Sequence, residues 1–175
     1  WVQGCSIRCS CCKNQHMWSF DSGEELEIEW VIQDIKVQAG IEGITILGGE
    51  PLDQKEAVAK ILQSVQEMGL STIIFTGYTY ENLLDETDEI LKRVLSYTDL
   101  LIDGPFRQEQ IDFSRPWVGS ENQRYLFLSS RYNEEDLYDG YYRNKYEVRI
   151  YPDGTIKVNG MGDLNTFNQI LKFNE

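Results

Sequence analysis

The residues of this chain best suited to do chemistry are Cys5, Cys9, Cys11 and Cys12, and no other cysteine occurs among its 175 residues. Cys5, Cys9 and Cys12 stand at C-x3-C-x2-C spacing. Thiolates gathered in one short loop can reach three corners of an iron–sulfur cube and leave its fourth iron open. A disulfide framework would instead spread cysteines along the chain to tie distant loops together. Structural zinc normally takes two ligand pairs a dozen or more residues apart, or a Cys/His mixture. His16, the only histidine, is near enough in sequence to complete a Cys3His set, so zinc stands as the second metal.

The elements that must position this loop alternate along the middle of the chain. Ile28, Val31, Ile32, Ile35 and Ala39 fall on one helical face ending at Gly40. The β-branched run 44–47 predicts a strand that leads into Gly48-Gly49-Glu50-Pro51. Asp53 with Glu56 predicts an N-cap box for a helix carrying Val58, Ile61, Leu62 and Val65. A second strand over 72–76 ends at Gly77-Tyr78, a helix follows at about 87–96, and a third strand runs into Asp103-Gly104. This β-α-β-α-β order predicts an α/β fold with a parallel sheet and right-handed crossovers. Polar and glycine positions sit just past each strand's C-terminal end, where α/β folds bind ligands.

Residues 105–124 predict a loop, 125–128 a further strand, and 131–145 a Tyr-rich segment that contacts a partner or packs on the sheet edge. Two alternating runs around Pro152-Asp153-Gly154 predict a β-hairpin, and 163–173 a short terminal helix. The size fits one domain. No apolar run approaches ~18 residues, which argues against a membrane span. With 29 acidic against 16 basic side chains the net charge is −13, which repels phosphate backbones and argues against nucleic-acid binding. Clustered thiols without a staple pattern suit a reducing cytoplasm.

Cys5, Cys9 and Cys12, following Trp1-Val2-Gln3-Gly4, together with Gly48-Gly49-Glu50-Pro51, resemble the radical S-adenosylmethionine enzymes. Asp103-Gly104 and Gly119-Ser120-Glu121-Asn122-Gln123-Arg124 are similar to stretches of the activating enzymes of anaerobic ribonucleotide reductase, a branch of that superfamily. The resemblance covers residues 1–125. It implies a partial, open β/α barrel over 1–125, with 126–175 as a C-terminal extension packed on the same domain and carrying the hairpin and short helix. It also implies a segment before Trp1, since the chain opens without Met on what resembles the tail of a strand. Many members carry an aromatic residue where this chain has Cys11. Family spacing assigns the cluster to Cys5, Cys9 and Cys12, with Cys11 a neighbouring thiol.

The resemblance implies a [4Fe-4S] cluster that binds S-adenosyl-L-methionine at its open iron and reductively cleaves it to a 5′-deoxyadenosyl radical. Cofactor-binding candidates are Asn14, Gly48, Gly49, Glu50, Pro51, Thr76, Tyr78 and Asp103. Gly48 and Gly49 allow close backbone approach to a ligand. Glu50 either offsets an ammonium charge or orders the loop, and Pro51 ends the strand. Tyr78 or Thr76 meets adenine or ribose, while Asn122 and Arg124 bind a carboxylate or fix a loop. Asn14 orders its loop, faces the cofactor or merely forms a turn. Trp18 is a lid over the cysteine loop or a core anchor. The function expected is installation of a glycyl radical on an anaerobic ribonucleotide reductase, with a flavodoxin- or ferredoxin-type reductant. The alternatives are radical chemistry on another peptide or small molecule, and a non-catalytic iron–sulfur electron-transfer module.

Overall fold

The computed structural model describes residues 1–84, 87–112, 114–138 and 146–160. Four strands, β1 (Gly43–Ile46), β2 (Ser71–Phe75), β3 (Leu100–Asp103) and β4 (Arg124–Phe127), form one sheet in the order β1-β2-β3-β4. β1, β2 and β3 are parallel, as the alternating pattern predicts. β4 runs antiparallel to β3, pairing Leu101 with Leu126 and Asp103 with Arg124. Among the described residues of 104–123 there is no long helix, and the chain reverses onto the neighbouring edge instead of crossing over.

The helices are α1 (Ile28–Val37), α2 (Lys55–Glu67), the short α3 (Tyr80–Leu83) and α4 (Glu89–Ser96). α2 and α4 cover one face of the sheet, where Val58, Leu62, Leu91 and Val94 pack with Ile46, Ile74 and Leu101. Leu62 and Val94 are fully shielded from solvent, and each such side chain contributes about 1.5–3 kcal/mol. Asp88 starts α4 by accepting from the Ile90 and Leu91 amides at 3.1 and 2.9 Å. The apolar face predicted for α1 is only half-buried at Ile28, Val31, Ile32 and Ile35, and Ala39 lies beyond the helix end. α1 leads into β1 at the sheet's edge, which leaves it fewer neighbours.

α2 begins differently from the prediction. A 3-10 turn over Pro51–Gln54 precedes it, capped by the Glu50 carboxylate, which accepts from the Leu52 amide at 3.0 Å. Asp53 is drawn away to a long-range partner and caps nothing.

The other sheet face has no helix among the described residues. Leu100 and Ile102 are covered by Val118, with Trp117, Phe75 and Tyr125 against them. Arg115 ties that covering loop together, bonding Asp112 and the carbonyls of Gln123, Ser120 and Glu121 at 3.0, 3.1 and 3.1 Å. Hydrogen bonds from Ser114 and the Arg115 guanidinium hold the Asp112 carboxyl down at about 2. A depressed carboxylate stabilises the fold above its unfolded value near 4, and that contribution fades as pH falls toward 2. Near-UV circular dichroism of the covering loop is therefore expected to weaken between pH 4 and 2, and Asp112→Asn to remove that step.

Tyr132 packs on this face too, sharing a 2.7 Å hydrogen bond with Ser71 Oγ. The hairpin is present as β5 (Tyr146–Ile150) and β6 (Ile156–Gly160) in antiparallel register. Tyr141, Tyr142 and the predicted terminal helix lie outside the described residues.

Candidate metal centre

The cysteine loop hangs from the C-terminal end of β1. Residues 2–4 run beside 47–50 as a short parallel extension of the sheet. The Val2 amide bonds Leu47 O at 2.8 Å, the Gly49 amide bonds Val2 O at 2.7 Å, and the Glu50 amide bonds Gly4 O at 2.8 Å. This contact explains the paired glycines. A Cβ on Gly49 would stand 2.0 Å from Gly4 O, and one on Gly48, at φ +130°, 2.5 Å from Val2 O. Both glycines let the cysteine-bearing backbone, and not only a ligand, come close.

Three further ties hold the loop. Asp53 accepts from the Ser6 amide at 2.7 Å and from Ser6 Oγ at 2.8 Å. The Tyr78 hydroxyl lies 3.0 Å from Ser6 Oγ and donates to Asp53 at 3.3 Å. The loop then closes on itself, with the Cys12 amide bonding Cys9 O at 3.0 Å and the Asn14 amide donating to Cys12 Sγ at 3.3 Å.

Cys5, Cys9 and Cys12 line one cleft with about 220 Å³ of space open to water-sized molecules. Asn14 and Trp18 flank them, and the opposite wall is built where the parallel strands end. Gly48, Gly49 and Glu50 come from the end of β1; Phe75, Thr76 and Gly77 from β2; Gly104 and Phe106 from the chain after β3. Cys11 is not on this wall. Of the remaining candidates, Pro51 is buried at the head of the 3-10 turn, and Tyr78 acts behind the wall through Ser6. Asp103 accepts from the Tyr80 amide at 2.7 Å and from Arg124 Nε at 3.0 Å. Arg124 also pairs with Glu81, and the Asn122 amide group bonds Pro105 O at 2.8 Å. Both therefore fix loops.

Glu50 is buried, with 1% of its surface exposed. Its carboxylate receives hydrogen bonds from the Leu52 amide, Thr76 Oγ1 at 2.8 Å and the Gly77 amide at 2.8 Å. Burial pushes its pKa up, while those donors oppose the shift. It thus staples the ends of β1 and β2 beside the cysteines. Glu50→Gln would face an NH2 group against donors, with an expected cost of about 1–3 kcal/mol in a urea titration.

The donor set discriminates between metals. All four cysteines are free thiols. Among the described residues, no three His, Cys, Asp or Glu side chains converge on a point that a single ion could fill. His16 is exposed and not on the cleft wall. Burial, reinforced by the neighbouring Cys12 and Cys5, pushes the Cys9 thiol up. Three thiols spaced around a cleft fit separate corners of an iron–sulfur cube better than one tetrahedral ion.

Comparison with known proteins agrees. The 4Fe-4S single cluster domain family matches residues 1–126. The anaerobic ribonucleoside-triphosphate reductase-activating protein of Haemophilus influenzae is 37% identical over 130 residues, covering 70% of this chain and 81% of that protein. The chain belongs to the anaerobic ribonucleoside-triphosphate reductase-activating proteins. Within this activating-protein family, the Escherichia coli K12 member is 32% identical over 133 residues, covering 70% of this chain and 82% of that member. The pyruvate formate-lyase-activating enzyme of Clostridium pasteurianum is 37% identical over 106 residues, or 57% of this chain and 41% of that enzyme. The resemblance drawn from the cysteine loop and Gly48–Pro51 is thus met at the level of the activating proteins. The family domain contains all four cysteines and stops before the hairpin.

Several wall residues carried no signal in the sequence. Phe106 and Phe75 are ordinary apolar residues whose only clue is their position at or past a strand's C-terminal end. Asp53 was legible as polar punctuation before a helix, but its partner Ser6 lies 47 residues away.

Proposed function

We propose that this protein is a radical S-adenosylmethionine activating enzyme that installs a glycyl radical on an anaerobic ribonucleotide reductase. The observation that carries the reading is the set of three free thiols, Cys5, Cys9 and Cys12, on one cleft beside the C-terminal ends of three parallel strands. Those thiols would hold three irons of a [4Fe-4S] cluster. Asn14, Gly48, Gly49, Glu50 and Thr76 border the space left for S-adenosylmethionine. Pro51, Tyr78 and Asp103 contribute by shaping that border. With both groups bound, the cluster and S-adenosylmethionine would supply, on receipt of one electron from a flavodoxin- or ferredoxin-type donor, the reductive cleavage of a sulfonium C–S bond to methionine and a radical able to take a hydrogen atom from a glycine Cα.

The protein's own work is to hold the cysteine loop rigid, keep water from the cleft and admit the partner's glycine segment. An open β/α barrel over 1–125 suits this. The parallel strands follow in sequential order, and their covering helices sit on one face, as in a barrel wall. Residues 126–175 would extend the same domain. Among the described residues no helix is long and apolar enough to cross a membrane, and the chemistry suits a reducing cytoplasm.

The test is anaerobic reconstitution with iron and sulfide, followed by addition of a reductant and S-adenosylmethionine. Formation of 5′-deoxyadenosine, and of a glycyl EPR doublet once the reductase is added, is expected. No 5′-deoxyadenosine would exclude radical chemistry and leave an electron-transfer module; deoxyadenosine without the doublet would point to a different substrate.

A further inference from the structure

The residues of the cysteine loop divide between two sides. Cys5, Ile7, Cys9, Cys12 and Asn14 line the cleft. Interleaved with them, Ser6, Arg8, Ser10 and Lys13 lie off its wall and are exposed. This solvent side carries charge of one sign. Residues 1–20 contain no Asp or Glu, and all 29 acidic side chains come after them in a chain whose net charge is −13. Asp53 reaches the loop from elsewhere, but Ser6 and Tyr78 take up its carboxylate. Glu50 is buried on the cleft wall. Arg8 and Lys13 pair with no carboxylate among the described residues. Arg8 also sits at φ +50°, a left-handed conformation that costs an L residue about 1 kcal/mol and that glycine adopts freely. Each cation adjoins a cleft cysteine in sequence, Arg8 next to Cys9 and Lys13 next to Cys12.

We propose that the solvent side of this loop, through Arg8 and Lys13, docks an acidic one-electron carrier protein that reduces the cluster. The proposal rests on the reading that Cys5, Cys9 and Cys12 hold an iron–sulfur cluster, and adds where the electron enters. Electron transfer slows steeply with distance, so the carrier must bind close to the cysteines. The cleft is the place for S-adenosylmethionine and the partner's glycine segment, which leaves the solvent side of the loop as the short route. The chain as a whole repels an acidic carrier, with its net charge of −13. Physiological salt screens that charge beyond roughly 8 Å, so the field a docked carrier meets here is that of Arg8 and Lys13. Local cations of this kind orient an acidic partner and raise its association rate. The transfer moves one electron from the reduced carrier to the oxidised cluster, and no bond forms or breaks.

Stopped-flow reduction of the reconstituted protein by a reduced flavodoxin of net negative charge reads the docking directly. In wild type the second-order rate constant is expected to fall as salt rises. Lys13→Glu, and Arg8→Glu combined with Lys13→Glu, are expected to slow reduction by about tenfold or more and to remove that salt dependence. Lys13→Gln, the milder change should a glutamate disturb the loop, should slow it in the same direction. Photoreduction by uncharged 5-deazariboflavin needs no docking site and should run at the wild-type rate in every variant. A flavodoxin rate unchanged by these substitutions, or rising with salt in wild type, would overturn the proposal. Equal loss of the flavodoxin and deazariboflavin rates would overturn it too, because the cations would then act on the cluster itself. Failure of the wild-type protein to take up a cluster would instead sink the underlying reading.

Discussion

Cys12→Ser is expected to abolish cluster assembly, and Cys11→Ser to leave it intact. The two cysteines are adjacent, so composition cannot separate them, but their surroundings do. Cys12 lines the cleft with Cys5 and Cys9, and its sulfur accepts the Asn14 amide at 3.3 Å, which fixes its position in the loop. Cys11 lies off the cleft wall. Iron in a sulfide cluster prefers soft thiolate, and a serine oxygen at one corner is a hard replacement. Loss of even an outer partner typically costs about 10–100-fold in metal affinity, and loss of a ligand costs more. Iron and acid-labile sulfide in the Cys5→Ser, Cys9→Ser and Cys12→Ser proteins should therefore fall by more than about tenfold. Retention of the cluster by Cys12→Ser with its loss from Cys11→Ser would reverse the assignment.

Gly49→Ala is the substitution outside the cysteines expected to do most harm. Its methyl group would meet Gly4 O at 2.0 Å and Gly4 C at 2.7 Å, and both are main-chain atoms that no rotamer change can move. Opening that contact strains the Gly49 amide bond to Val2 O and the Glu50 amide bond to Gly4 O. Overpacking alone costs about 1–3 kcal/mol, and the weakened hydrogen bonds add to it. At about 3 kcal/mol, Tm should drop by roughly 6–12 °C for a chain of this size. The cysteine loop hangs from the displaced residues, so iron uptake should fall along with Tm. Gly40→Ala is the control. Gly40 has φ +74°, but a Cβ there meets nothing within 4 Å, so it should cost only about 1 kcal/mol and leave iron uptake unchanged. A Gly49→Ala protein with wild-type Tm and iron content would show that the loop is not held by this contact.

Cofactor and protein divide the labour accordingly. Glu50, Asp53, Tyr78 and Gly49 direct their chemistry at the chain itself, bonding or pressing on strand ends and the cysteine loop. Cys5, Cys9 and Cys12 face the cleft. Several residues that look like ligand contacts in a motif therefore work as a frame. If the site holds a cluster and S-adenosylmethionine as proposed, keeping them in register would need such a frame more than additional contacts.

The amino-acid sequence by itself determined the spacing of the three thiols, the alternation of strand and helix through Asp103, the hairpin, and the placing of polar and glycine positions beyond strand ends. Each of these is written in periodicity or in neighbours a few residues apart. Only the tertiary structure decided that Asp53 anchors Ser6 instead of capping α2, that Gly48 and Gly49 make room for Val2 and Gly4, that β4 reverses direction, and that Cys12 faces the cleft while Cys11 does not. The first two join residues more than 40 positions apart, β4 takes its direction from its neighbour in the sheet, and the cysteines differ only in what surrounds them. Propensity and spacing act along the chain, while hydrogen bonds and excluded volume act through space, and only folding brings these partners within reach of one another.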